Sequence, residues 1–272
     1  MGKRKRDSRS FHAYKKNKSG GFIDPNTSGI YATCNRGKES QCRNELMNLF
    51  SEKFEQYYDI DEKDWSSEDD EEGDSIEAKI AKEVNDIQEK KNSKKEYFKP
   101  IDLNCECLVF IKTRKPVEPE KFVESICAES SSRKSKSTRY TQRLTPITFS
   151  VSANLDEVRK LALKVLEPHF HANEDQKPYK FAISLSKRNF NVIQKMDIIK
   201  TIAECVGREH GHKVDLKLYD KLILVECYKN NIGMSVVNNY DSLQKFNLQQ
   251  IFEESEVHNI EASLSRVSKT DD

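Results

Sequence analysis

The stretch that decides the fold is KLILVECYKNNIGMSV, residues 221–236. It holds one apolar run, Leu222–Cys227, and all but the last residue of a second, Ile232–Val237, each of strand length. Only a short polar step at Lys229–Asn231 divides them, so the chain folds back on itself as a tight antiparallel hairpin. Working outward, Val214–Leu216 is a further short strand. Val192–Val206 repeats Val192, Ile193, Met196, Ile199, Ala203 and Val206 at helical spacing. Lys180–Ser186 alternates Phe181, Ile183 and Leu185, as a half-buried strand requires. Before it, Leu155, Val158, Ala162, Val165 and Leu166 line the inner face of another helix. Asn154 caps that helix with Glu157 as its capping-box partner, and Pro168 stops it. Ile147–Val151 is a strand candidate ahead of that cap. The resulting order, β-α-β-α-β-β-β, is that of an α/β sheet with two packed helices.

A smaller α/β unit precedes it. SGIYATC (28–34) is a strand candidate, followed by a helix whose stripe is Cys42, Leu46, Leu49, Phe50 and Phe54. Ile101, Leu103, Cys105, Cys107, Val109 and Ile111 alternate with polar residues, which predicts one strand from Ile101 to Ile111 with both cysteines inward as small hydrophobes. Two prolines then turn the chain into a helix that buries Phe122, Val123, Ile126 and Cys127. Between these pieces lies an interruption. Ile76, Ile80, Val84 and Ile87 repeat at helical spacing inside it, beside a strongly acidic block. Insertions of this kind cost little in loop closure.

The 272 residues carry 46 Lys and Arg against 45 Asp and Glu, and this neutral total conceals segregation. Residues 1–19 hold eight bases and one acid, residues 59–77 hold eleven acids and one base, and residues 133–143 hold five bases and no acid. Such blocks stay solvated or meet a partner of opposite charge. The first reads as a disordered basic arm with Lys3–Arg6 as a nuclear-import patch. Charged residues make up 33% of the chain and apolar ones 36%, and no apolar run approaches the roughly 20 residues of a membrane helix. The basic start lacks the apolar stretch of a secretory signal. Seven cysteines, an odd number, do not form a disulfide framework.

Only nine glycines are present, and none falls into the G-x-G-x-x-G or G-x-x-x-x-G-K-[ST] loops that cradle dinucleotides or triphosphates. Cys105-x-Cys107, His169-x-His171 and His210-x-His212 lack the paired spacing of structural zinc, and the histidines read as exposed loop residues. No metal and no cofactor are therefore expected. Cys34, close to Arg36 and Lys38, is the one nucleophile candidate, and a structural role outweighs it. Basic residues interleaved with aromatics and amides are better represented. Arg139, Tyr140 and Arg143 follow Arg133, Lys134 and Lys136; Lys187, Arg188, Asn189 and Phe190 end a strand; Lys229 sits at a hairpin tip; Lys112, Arg114 and Lys115 end a strand of the first unit. All occupy strand ends or loops, where cations meet nucleic-acid phosphate.

RYTQRLTPITFSVSA (139–153), LEPHFH (166–171), YKFAISLSKRNFN (179–191) and VDLKLYDKLILVECYKNNIGMSV (214–236) resemble a THUMP domain, and specifically the eukaryotic THUMP proteins that serve as tRNA-acetylation adaptors. GFIDPNTSGIYATC (21–34) and IDLNCECLVFIKTRKPVEPEKFV (101–123) resemble the N-terminal part of that family. The resemblance, which covers all but the basic arm (1–20), the disordered acidic insertion (59–98) and the polar C-terminal tail (241–272) read from composition, implies an N-terminal ferredoxin-like α/β domain (21–128) around that insertion and a THUMP domain with a mixed sheet and two packed helices (129–240). In that family the two domains together recognise the tRNA acceptor end. It implies a non-catalytic subunit that presents serine and leucine tRNAs to a separate RNA cytidine acetyltransferase, giving N4-acetylcytidine in the D-arm, in the nucleus or nucleolus. Neither a membrane nor a small-molecule substrate is expected as a partner. The binding role falls on Arg139, Arg143, Lys187, Arg188 and Asn189, with Lys112 and Arg114; Tyr140 and Lys229 join them from the basic-aromatic pattern. A ribosome-assembly or other tRNA-processing factor is the alternative, and an RNA enzyme acting through Cys34 or a histidine is a third.

Overall fold

The computed structural model describes residues 21–58, 97–132, 136–172 and 176–254. The basic arm, the acidic block, the helix expected at 76–87, Arg133, Lys134 and residues 255–272 lie outside these. Two sheets form, each carrying a pair of helices.

The first sheet contains β1 (Ser28–Cys34), β2 (Phe98–Ile101), β3 (Leu108–Thr113) and β4 (Thr141–Ile147), in the order β2-β3-β1-β4 and antiparallel throughout. Helices α1 (Glu39–Tyr57) and α2 (Pro119–Ser132) pack on one face. Cys42, Leu46, Leu49, Phe50 and Phe54 of α1 are all buried, as are Phe122, Val123, Ile126 and Cys127 of α2, so both predicted helical stripes are the ones that form the core. Aromatic rings interlock there: Phe50, Phe98 and Phe122 have pairwise centroid separations of 5.3–5.6 Å. Each buried ring contributes about 2–3 kcal/mol by area, with tilted and edge-on pairing adding to it. Lys53 of α1 is also buried; its Nζ meets Glu129 of α2 at 2.7 Å, so the cation is paired rather than stranded.

The single strand expected over Ile101–Ile111 does not exist. The chain leaves β2 at Ile101, turns through Asn104 (φ 48°) and Cys107 (φ 60°), and returns as β3, so that Ile101 pairs with Phe110. Alternation mimicked one strand because a turn happened to keep the polarity in phase. Cys105 and Cys107 accordingly sit half-buried in the turn, not in the core.

The second sheet contains β5 (Phe149–Ser152), β6 (Lys180–Arg188), β7 (Lys213–Val214), β8 (Lys221–Tyr228) and β9 (Asn231–Val237), in the order β5-β9-β8-β6-β7. β6 runs parallel to β7 and β8, and β8 and β9 form the predicted hairpin. Helices α3 (Leu155–Phe170) and α4 (Lys195–Val206) cover one face. Asn154 does cap α3, its Oδ1 accepting from Asp156 N at 2.9 Å, whereas Glu157 faces outward to Lys160 rather than closing a capping box. Pro168 lies inside the last turn of α3 and does not stop it, and Leu155 is exposed. Helix α4 begins at Lys195, later than the spacing predicts, which leaves Val192 outside it; Val192 and Met196 are both exposed. The expected Val214–Leu216 strand shrinks to two residues, and Val214, Leu216 and Leu218 are exposed at the sheet edge.

The strand predicted at Ile147–Val151 is two strands in two sheets. Thr148 alone separates β4 from β5; its N–H donates to Met234 O at 3.0 Å and its hydroxyl to Glu120 Oε2 at 3.2 Å. The basic 133–143 segment thus leads into the fourth strand of the first sheet. The polar tail is also partly structural. Phe246, Leu248 and Ile251 are buried in the first core, and residues 248–254 are helical, because a few apolar side chains suffice to anchor a segment whose remaining face is solvated.

Candidate RNA interface

The basic residues fall into three places. At one end of the first sheet, Lys99 of β2 and Lys112 of β3 stand directly opposite each other. Like charges at such a pair cost stability, so the sheet tolerates repulsion there. Together with Arg114, Phe22 and Asp24 they line a cleft of about 90 Å³, and none of the three cations forms an ion pair among the described residues. Beside the cleft, Lys229 at the hairpin tip donates from Nζ to Gly21 O at 2.7 Å and lies 4.6 Å from the Phe22 ring centroid. Lys229 is thus a staple holding the segment before β1, and the exposed Phe22 ring above it is a surface on which a base can stack.

Arg139 and Tyr140 lie at the far end of the same sheet. Thr141 pairs with Cys34, the last residue of β1, while Lys112 and Thr113 pair with the first residues of that strand; six residues of strand, roughly 20 Å, divide the two groups. The Arg139 guanidinium sits 5.5 Å from the Tyr140 ring. Glu45 of α1 fixes this segment by accepting from the N–H groups of Arg139, Tyr140 and Thr141 and from the Thr141 hydroxyl. Nothing in the sequence pattern marked Glu45, since a carboxylate on the polar side of a helix is ordinarily solvated.

The third place is the seam between the sheets. Arg188 ends β6, with Ser186 beside it on the same face and Asn189 in a left-handed turn after it. Lys187 points to the other face, 5.3 Å from the Phe190 ring, with its Nζ reaching Ile193 O. The predicted Lys187–Arg188–Asn189 cluster is therefore split by strand alternation. Arg143 of β4 and Arg188 each lie within electrostatic reach of Glu226 on β8. Burial pushes the Glu226 carboxyl up, opposed by a hydrogen bond from Ser186 and by the two guanidinium charges. Two other chemistry-bearing residues are buried. Cys34 is buried at the end of β1 beside Cys42, and burial pushes its thiol up to about 12, which disarms it as a nucleophile. His212 is buried rather than loop-exposed, its Nδ1 accepting from Tyr179 N and its Nε2 facing Phe170 O, each at 3.0 Å. Lys99, Phe22 and Glu226 were missed by sequence reasoning.

The THUMP domain family matches residues 152–237, the span from the end of β5 through β9. Beyond that domain, tRNA acetyltransferase TAN1 of Saccharomyces cerevisiae is 48% identical over 267 residues, covering 91% of this chain and 92% of that one. This chain belongs to the THUMP-domain family of TAN1. A Schizosaccharomyces pombe relative, described only as an uncharacterized protein, is 39% identical, with 91% and 83% of the two chains covered. The mouse THUMP domain-containing protein 1 is 33% identical, with 84% of this chain and 65% of that one covered. The THUMP domain itself contributes β6, β8 and β9 to the seam, so Arg188 and Glu226 lie within it while Arg143, Lys99 and Lys112 lie in the first sheet.

Proposed function

We propose that this chain is a tRNA-binding adaptor. It presents serine and leucine tRNAs to a separate RNA cytidine acetyltransferase for N4-acetylcytidine formation in the D-arm, in the nucleus or nucleolus to which the Lys3–Arg6 patch directs it. The observation that carries the reading is the correspondence, over nearly the whole of both chains, with a protein named as a tRNA acetyltransferase. The adaptor role is supported by chemistry: the sequence has no glycine-rich phosphate loop, and its buried Cys34 thiol is a poor nucleophile. Arg143 and Arg188, one from each sheet and each within electrostatic reach of Glu226, suit phosphate in a folded RNA better than a flat basic surface would.

The test is the N4-acetylcytidine content of tRNA and rRNA from cells with and without this chain, together with an assay of the purified chain alone. Loss from tRNA and persistence in rRNA is the expected result, with no acetylation of tRNA by the isolated chain. Acetylation by the isolated chain would make it the enzyme. Persistence in both RNAs would favour ribosome assembly or another tRNA step.

A further inference from the structure

The second sheet ends on an open edge. Strand β7 pairs only with β6 among the described residues, at the end of β6 away from Arg188. Lys213 N donates to Tyr179 O and Asp215 N to Phe181 O, so the N–H and C=O of Val214 between them face away from the sheet. The turn that follows is fixed from within. Asp215 accepts from Lys217 N at 3.0 Å, from Leu218 N at 2.9 Å and from Lys180 Nζ at 3.0 Å. That turn presents apolar side chains to solvent: Leu216 and Leu218 are each 74% exposed, and Val214 is 62% exposed. Single exposed apolar residues are ordinary, but three within five positions at an open strand edge mark an association surface. Lys213 and Lys217 flank them, exposed, and neither forms an ion pair among the described residues. The one acid between them, Asp215, is already taken by Lys180. These charges select the occupant. A second copy of this chain, set edge to edge, would bring the same lysines against each other. RNA would suit the lysines and leave the leucines in water. A protein segment of apolar and acidic residues satisfies both, pairing with Val214 as an added strand.

We propose that the β7 edge, Lys213–Leu218, docks an extended apolar segment bearing acidic residues, contributed by the separate acetyltransferase. The inference rests on the reading of this chain as an adaptor. Position supports it. Phe181, beside β7, lies seven residues of strand from Arg188, roughly 23 Å, and the Lys229 tip is bonded to the Arg188 end. Enzyme and RNA are then held at opposite ends of one sheet, without competing for the same residues.

The experiment measures binding of the full chain to the purified acetyltransferase by calorimetry, with tRNA affinity and thermal unfolding as controls. Leu216→Ser combined with Leu218→Ser is expected to weaken the complex about tenfold or more. Because both side chains are exposed, tRNA affinity and Tm should not change. Lys213→Glu combined with Lys217→Glu is expected to weaken the complex roughly threefold to tenfold at low salt, and less at high salt. In hydrogen exchange the Val214 amide should be open in the free chain and protected in the complex. If the parent chain does not bind the acetyltransferase, the adaptor reading falls and the inference with it. If the parent binds and the leucine variant binds equally well, only the docking edge falls. Unchanged binding by the lysine variant overturns the acidic character assigned to the segment. Protection of Val214 in the free chain also overturns the inference, because the edge would then be covered by a second copy or by this chain's own acidic residues 59–77.

Discussion

The second sheet takes its strands from residues 149–237 in succession, while the first is gathered from three separated stretches and closed by a fourth. Each carries two helices on one face. Yet the second keeps its helix-side core to itself, and the first completes its core with β4 and with Phe246, Leu248 and Ile251, which flank the second sheet in sequence, and with Ala182, Leu222, Leu224 and Val237 from the other face of the second sheet. The difference teaches that dependence runs mainly one way. The THUMP part can order its helix-side core from local contacts, whereas the core of the first sheet closes only after the chain has passed through the second and returned.

The sharpest way to break this comparison is Phe246→Ala. Phe246 has no exposed surface and meets Tyr240 edge-on at 5.1 Å, so its loss should cost about 3–5 kcal/mol. Native-state hydrogen exchange should show the amides of β1, β3 and β4 losing protection before those of β6, β8 and β9. Equal loss in both sheets would mean that the two fold as one unit. A smaller effect tests the contact between the halves. Burial, with Lys221 of β8 and Lys121 of α2 nearby, holds the His169 imidazole down to about 4. The unfolded chain takes up a proton at about 6.5 that the folded chain refuses, so this residue costs stability as pH falls from about 6.5 towards 4 and costs nothing above that window. Denaturant midpoints at pH 7 and pH 5 should therefore differ less in His169→Gln than in the parent; an unchanged difference would remove His169 from the account. The smallest effect belongs to Lys112→Ala. Relief of the Lys99–Lys112 repulsion should raise stability by roughly 0.2–0.5 kcal/mol, while the salt dependence of tRNA binding falls by about one phosphate contact. Lower stability would show that Lys112 is held by something other than its charge.

Regular, contiguous structure was legible in the sequence. The stripes of α1 and α2, the Asn154 cap, the 221–236 hairpin and the strand-helix order of the second unit follow from local periodicity, which is what periodicity reports. Departures arose where tertiary context decides. Nothing in Ile101–Ile111 marks the left-handed turn at Asn104 and Cys107. The switch of sheets at Thr148 depends on where β1 already lies, and Phe246, Leu248 and Ile251 matter through what they reach. The candidate site divides likewise. Arg143 and Arg188 were visible as cations at strand ends, but only the fold brings each within electrostatic reach of Glu226, which in sequence is simply one acid in an apolar strand.

Thr148 carries a consequence for how such a protein meets a ligand. A one-residue connection, bonded at its amide and at its hydroxyl, leaves the two sheets no swivel. The orientational freedom that two tethered domains would surrender on binding is here given up during folding. If the seam is where RNA lies, as proposed, that RNA faces a calliper whose jaws are already set, and discrimination then comes from misfit of the RNA rather than from closure of the protein around it.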